Sequence, residues 1–245
     1  MHWGIFKKIV NSIELHNIIS FVEAGELTGY RVNDFLEVGL DVLASFQWQR
    51  SGVSGSELLS AIEILPLVIP RISWNTCLPS RFIHDGIRSK HQIAFSFMNP
   101  DAWYHQILLQ HEQFIPVDIN GTFYYDIFYG SYRGAISAPW TCFDVGGWDG
   151  IPGYLSEFLA CTDALTVGVG YRYRIPIISK AIGMDTYTIA QFRAGNGYDG
   201  FPDWDTVSIR FGASAGIGIN TILGDMIIGI GVNQSLEFAY YLLFN

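Results

Sequence analysis

Apolar and polar positions alternate with a period of two along much of this chain, most plainly in residues 205–245. In Val207–Asn220 the odd positions are Val207, Ile209, Phe211, Ala213, Ala215, Ile217 and Ile219, and the even ones are Ser208, Arg210, Gly212, Ser214, Gly216, Gly218 and Asn220. Met226, Ile228, Ile230 and Val232 continue the pattern, and Leu236, Phe238, Tyr240, Leu242 and Phe244 form one row to the end. A sustained period of two predicts β-strands with one apolar face. The same signal covers Leu36–Trp48, and Leu165–Ile175, where Thr166, Gly168, Gly170, Arg172 and Arg174 fill the other face. Further strands are predicted at 91–98, 103–115, 122–132 and 186–194. About twelve strands result, each near the ~9–11 residues with which a tilted strand crosses a bilayer.

Elsewhere the pattern is weaker. Residues 1–25 are ambiguous, because Phe6, Ile9, Val10 and Ile13 have helical spacing while Ile13, Leu15 and Asn17 alternate; a strand is expected over about 10–22, and another over 26–33. Pro66 and Pro70 lack a ladder donor and should confine regular pairing to the short piece after Pro70. The longest connection is 133–161. The expectation is one all-β domain over 1–245, an antiparallel transmembrane β-barrel.

Composition changes the picture by naming the solvent. The chain is 49% hydrophobic, 15% aromatic and only 15% charged, against roughly 25% charged in soluble domains. Mean hydropathy is +0.24, yet no run approaches the ~18 apolar residues of a transmembrane helix. The hydrophobicity is therefore delivered by alternation, and Trp48, Trp74, Trp103 and Trp204 fall at predicted strand ends, as in aromatic girdles. A net charge of −9 argues against nucleic acid as partner, which needs a basic footprint. The partner expected instead is a lipid bilayer. Cys77, Cys142 and Cys161 lack metal-ligand spacing; Cys142 and Cys161 either pair in an oxidising compartment or are inert thiols. The first 25 residues have no apolar core of signal-peptide kind, so the chain is expected to be part of a longer product.

Several stretches resemble, in order, the bacterial surface antigen superfamily, which includes BamA-like outer-membrane assembly factors and the C-terminal barrels of patatin-like phospholipases. Trp74–Arg81, WNTCLPSR, is similar to that family's aromatic strand end and turn, with Phe82 where a glycine is expected. Ile151-Pro152-Gly153-Tyr154 stands where the family has a lumenal V-R-G-F/Y loop motif. Tyr171-Arg172-Tyr173-Arg174-Ile175-Pro176 resembles its EYR-P strand, and Phe192-Arg193-Ala194-Gly195-Asn196 its F-x-D-x-G-N strand. In assembly factors the loop arginine meets the strand acid; here these are Pro152 and Arg193. Losing both together avoids an uncompensated buried charge, and points from protein insertion towards a patatin-type membrane anchor or translocator. The resemblance also implies about four further strands, so the chain is either a smaller closed barrel of about twelve strands or, as we expect, part of a sixteen-stranded one; it further implies an upstream passenger domain and the outer-membrane assembly machinery as partners.

Candidate chemistry is sparse. Gly212-Ala213-Ser214-Ala215-Gly216 satisfies G-x-S-x-G, but a nucleophile elbow needs a sharp strand-to-helix turn and Ser214 is predicted mid-strand. His2, His16, His84, His91, His105 and His111 are scattered without a ligand motif. No catalytic residue, metal or cofactor is expected, and any phospholipase would lie upstream. Arg172, Arg174, Arg193 and Arg210 share the non-apolar faces of the C-terminal strands; they are expected to pair across the lumen with Glu37, Asp41 or Glu237, or else to form a cluster that contacts the long loop or selects anions in a pore. Two other classes stay open: an assembly or transport factor, and a soluble β-sandwich binding module. Glu237-x-Ala239-x-x-Leu242-x-Phe244 resembles a C-terminal barrel assembly signal. Phe244→Ser is therefore expected to impair barrel assembly far more than deletion of Asn245, measured as the folded fraction in membranes; equal effects would refute a signal.

Overall fold

The computed structural model describes residues 2–14, 17–51, 58–77, 85–96, 103–134, 143–154, 160–198, 208–221 and 224–244. Its strands are β1 (His2–Glu14), β2 (Asn17–Arg31), β3 (Leu36–Ser51), β4 (Leu58–Asn75), β5 (Gly86–Ser96), β6 (Tyr104–Pro116), β7 (Gly121–Gly134), β8 (Phe143–Asp144), β9 (Ala160–Cys161), β10 (Asp163–Arg174), β11 (Thr186–Tyr198), β12 (Arg210–Thr221), β13 (Gly224–Asn233) and β14 (Phe238–Phe244), with one helix, α1 (Pro176–Ile182). Twelve strands form a single sheet in chain order, the small β8–β9 pair standing apart from it. This is an up-and-down meander. It lacks the Greek-key order of a sandwich, so the soluble-sandwich expectation is not met. No helix among the described residues is long and apolar enough to cross a membrane.

The chain divides into two compact units, one of Met1–Ser73, Gln92–Gln106 and Arg133–Ser137, the other of Trp74–His91, Ile107–Tyr132 and Ala138–Asn245. In the first, β1 pairs with β2 from His2↔Gly29 to Glu14↔Asn17, and β2 with β3. The single strand expected over 10–22 is thus a hairpin. The sequence hides it because the connection, Leu15-His16, contains none of the Gly, Asn, Asp or Pro that mark tight turns. β4 runs unbroken through Pro66 and Pro70, which corrects the expected interruption. In an antiparallel strand, residues of equal parity direct their backbone groups to the same neighbour. Both prolines, four residues apart, therefore remove donors on one side only. On β3, Val38, Leu40 and Val42 are exposed and Asp41 is buried. Arg71 of β4 holds Glu37 at 2.9 Å and Asp41 at 3.1 Å.

The second unit shows the alternation at its clearest. On β10, Val167 is 46% exposed and the neighbouring Thr166 only 2%; apolar residues look outward while polar and small ones are covered. The register extends this across the sheet. Phe123, Tyr171, Ala190, Ala215, Ile230 and Tyr240 form one transverse row, and Tyr125, Val169, Phe192, Ala213, Val232 and Phe238 form the next. Between them, on the opposite face, run Tyr124, Gly170, Gln191, Ser214, Gly231 and Ala239. A water-soluble sheet buries its apolar face; this one exposes it, as a strand facing hydrocarbon does.

Pro176 ends β10 as expected but also opens α1, which the sequence analysis did not anticipate. Proline's fixed φ suits the first helical turn, and Gly183, at φ 70°, closes the helix with its N–H donating to Ser179 O at 3.0 Å. The apolar row makes a direct prediction. Ile217→Arg, at a position 50% exposed, should cost about 2–4 kcal/mol of stability in lipid vesicles, measured by urea titration. At an exposed site in water the same change should stay within about 0.5 kcal/mol.

Candidate functional site

Within the connection from β7 to β10, residues 145–154 are seated on the polar face of β11–β14. Ile151 is fully buried and Val145, Trp148 and Tyr154 nearly so. The loop folds on itself first. Asp144 Oδ1 accepts from Gly146 N at 3.0 Å, Val145 O from Ile151 N at 2.6 Å, and Tyr154 O from Gly147 N at 2.9 Å. Gly153, at φ 85°, supplies the left-handed residue that turns the chain over Asn233, a conformation other residues adopt at a cost.

The seat is prepared by small residues on the strands beneath. A side chain at Gly212 would collide with the Pro152 carbonyl, and one at Gly229 with the Trp148 indole. Trp148 fills that recess, packing with Tyr187, Ile189 and Ile227 and standing edge-on to Tyr241 at 5.5 Å. Polar groups then pin the loop backbone. Gln191 Nε2 donates to Trp148 O at 2.7 Å, and Tyr124 OH donates to Gln191 Oε1 at 2.7 Å. Gly153 N donates to Tyr241 OH at 2.9 Å, while Asn233 Nδ2 donates to Gly153 O at 3.2 Å.

The charged centre is Arg193. Its guanidinium meets Asp126 of β7 at 2.9 Å, with the two side chains 8% and 7% exposed, and also donates to Asp149 O of the loop. So where the family resemblance led us to look for a loop arginine and a strand acid, a strand arginine takes the loop's carbonyl and a second strand supplies the acid. Pro152 contributes only its backbone and ring to the seat.

The four arginines singled out in the sequence are dispersed. Arg210 lies over the Tyr154 ring at 5.6 Å, so it and Arg193 contact the loop. Arg172 stacks between Tyr124 at 4.9 Å and Phe114 at 5.4 Å. Arg174 pairs with Asp185 at 2.5 Å at the strand end. The expected partners are engaged elsewhere, Glu37 and Asp41 with Arg71 and Glu237 with Asn233 Nδ2 at 2.7 Å. That correction has a simple cause: Asp126 reaches Arg193 over Gly168 of the intervening β10, which has no side chain to separate them, and Asp185 immediately precedes β11 beside the end of β10 that carries Arg174. Trp148, Asp126, Gln191 and Tyr241 were not anticipated. Their one sequence signal is parity, each strand residue falling on the polar face of its strand.

Ser214 lies in the middle of β12 with no helix following it, so the G-x-S-x-G match has no elbow. In β14 Ala239 is buried while Phe238, Tyr240, Leu242 and Phe244 are exposed, and Glu237 precedes the strand. Cys161 directs its thiol to Phe143 O at 3.4 Å. The 78–81 part of the expected family turn, Cys142 and hence its pairing with Cys161, Trp204, Val207 and Asn245 lie outside the described residues.

No family model matches the chain, and no curated protein matches it in sequence. Solved structures do. BamA from Haemophilus ducreyi lacking POTRA domains 1–3 superposes with a TM-score of 0.75 at 10% identity, over 98% of this chain and 56% of that one. CdiB from Escherichia coli gives 0.63 at 9% identity, over 99% and 47%. The chain thus spans about half the length of either structure. At such low identity the likeness is one of fold, and that fold is the antiparallel transmembrane β-barrel.

Arg193→Ala strands a buried carboxylate and is expected to cost about 3–5 kcal/mol. The double variant Arg193→Met/Asp126→Leu should recover most of it. Urea unfolding, with protease cleavage in 145–154 as the local readout, checks both.

Proposed function

We propose that this chain is the membrane-embedded β-barrel part of a bacterial outer-membrane protein of the transport and assembly class. The observation that carries the reading is the inverted burial: rows such as Tyr171–Ala190–Ala215–Ile230–Tyr240 face outward while Gln191, Ser214 and Arg193 are covered. In lipid every strand must pair its backbone groups internally, which only a closed barrel achieves. The neighbours' fold supports that environment, and their greater length leaves room for further strands and domains in the whole protein.

Within the class, the seated loop favours an anchor or translocator over an inserter of other proteins. The loop's carbonyls are held by Arg193, Gln191 and Asn233 without the arginine that assembly factors are expected to place there. The finer reading is a barrel that fixes or exports a patatin-like passenger carried upstream, with the assembly machinery recognising Glu237, Ala239, Leu242 and Phe244. Its partners are the bilayer, that machinery and the passenger.

Expressed in a Gram-negative host, the chain should fractionate with the outer membrane. In detergent it should migrate faster on SDS gels before heating than after. Recovery in the soluble fraction with identical migration in both lanes would overturn the membrane reading.

A further inference from the structure

Among the described residues of β5, β6 and β7, the outward apolar face carries a polar cluster. Tyr125 of β7 belongs to the outward row with Val169 and Phe192, and its hydroxyl donates to Gln113 Oε1 of β6 at 2.5 Å. Two residues back on the same face of β6, His111 lies 5.8 Å from the Tyr125 ring. Its Nδ1 is 2.6 Å from Ser89 Oγ of β5. On the same face of β6 and β7, Leu109, Ile115, Phe123 and Ile127 are exposed and apolar. Arg88 of β5 looks the other way, to Glu112 and the Phe114 ring, and so does not join the cluster.

Hydrogen bonding within the cluster fixes what it offers outward. Ser89 is buried, with its hydroxyl against His111 Nδ1. We assign the hydroxyl as the donor in this contact, and the imidazole then carries its proton on Nε2. Gln113 has its oxygen engaged by Tyr125, leaving its amide N–H groups. Two neutral donors, His111 Nε2–H and the Gln113 amide, thus have no acceptor among the described residues, and donors left bare in hydrocarbon are costly.

We infer that Ser89, His111, Gln113 and Tyr125 form a lipid-binding site in which His111 and Gln113 donate to an acyl carbonyl of a bilayer lipid. Neutral donors suit a neutral carbonyl better than a phosphate, which draws charged partners. The surrounding aliphatic and aromatic residues take the acyl chains. Ser89 and Tyr125 are positioning residues: each occupies the other hydrogen-bonding atom of its partner, and so sets which group faces the lipid. This inference rests on the membrane reading above.

The test compares vesicles of ester-linked and ether-linked phosphatidylcholine of equal chain length, which share the phosphate but differ in the carbonyl. The wild-type chain should unfold about tenfold more slowly in the ester vesicles, the effect of two neutral hydrogen bonds. His111→Leu/Gln113→Leu, which places apolar groups on an apolar face and so preserves insertion, should show no ester–ether difference. Equal wild-type rates in the two lipids would overturn the site, as would a difference that persists in the double variant. Failure to insert into either vesicle would instead sink the membrane reading, so the two failures are distinct.

Discussion

A strand in hydrocarbon has no water to satisfy its backbone, and the whole arrangement follows from that constraint. Pairing must be continuous from strand to strand, and the two prolines of β4, at positions of equal parity, withhold their donors from one neighbour only. Side chains that would hydrate a soluble sheet are driven to the opposite face. There Asp126, Gln191, Arg193 and Asn233 need partners of their own, and the 145–154 loop supplies backbone carbonyls where further side chains would otherwise be required. The seated loop is thus the answer to a problem set by lipid on the far side of the strands.

The two faces make opposite demands on sequence. Outward positions need only be apolar and of ordinary β-propensity, so Val, Ile, Phe, Tyr and Ala interchange along a row. Inward positions are specified atom by atom: an arginine against an aspartate, an amide between a hydroxyl and a carbonyl, no side chain under an indole. Few positions are therefore restricted. This explains how a chain sharing 10% identity with BamA from Haemophilus ducreyi superposes on it at a TM-score of 0.75.

What was legible in the sequence divides along the same line. Val207–Asn220 and Leu165–Ile175 announce strands because one face is wholly apolar, and the loop motif 151–154 is recognisable from its place between strands. β7 is harder: Tyr124 and Phe128 face inward while Phe123, Tyr125 and Tyr129 face outward, so aromatics on both sides blur the period and conceal Asp126. Its pairing with Arg193 spans two neighbouring strand pairings that no local pattern announces. The β1–β2 hairpin escaped for want of a turn residue. α1 escaped because Pro176 was read as a stop without the complementary signal of Gly183.

Trp148 rests on Gly216 and Gly229, which belong to facing strands of the β12–β13 hairpin. The recess does not exist on either strand alone. The order of events in folding is thereby constrained: the hairpin must be paired before the indole has anywhere to go, and loop docking is a late step that waits on non-local closure. A chain emerging into the membrane would carry 145–154 as an unattached segment until its own C-terminal strands arrived to receive it.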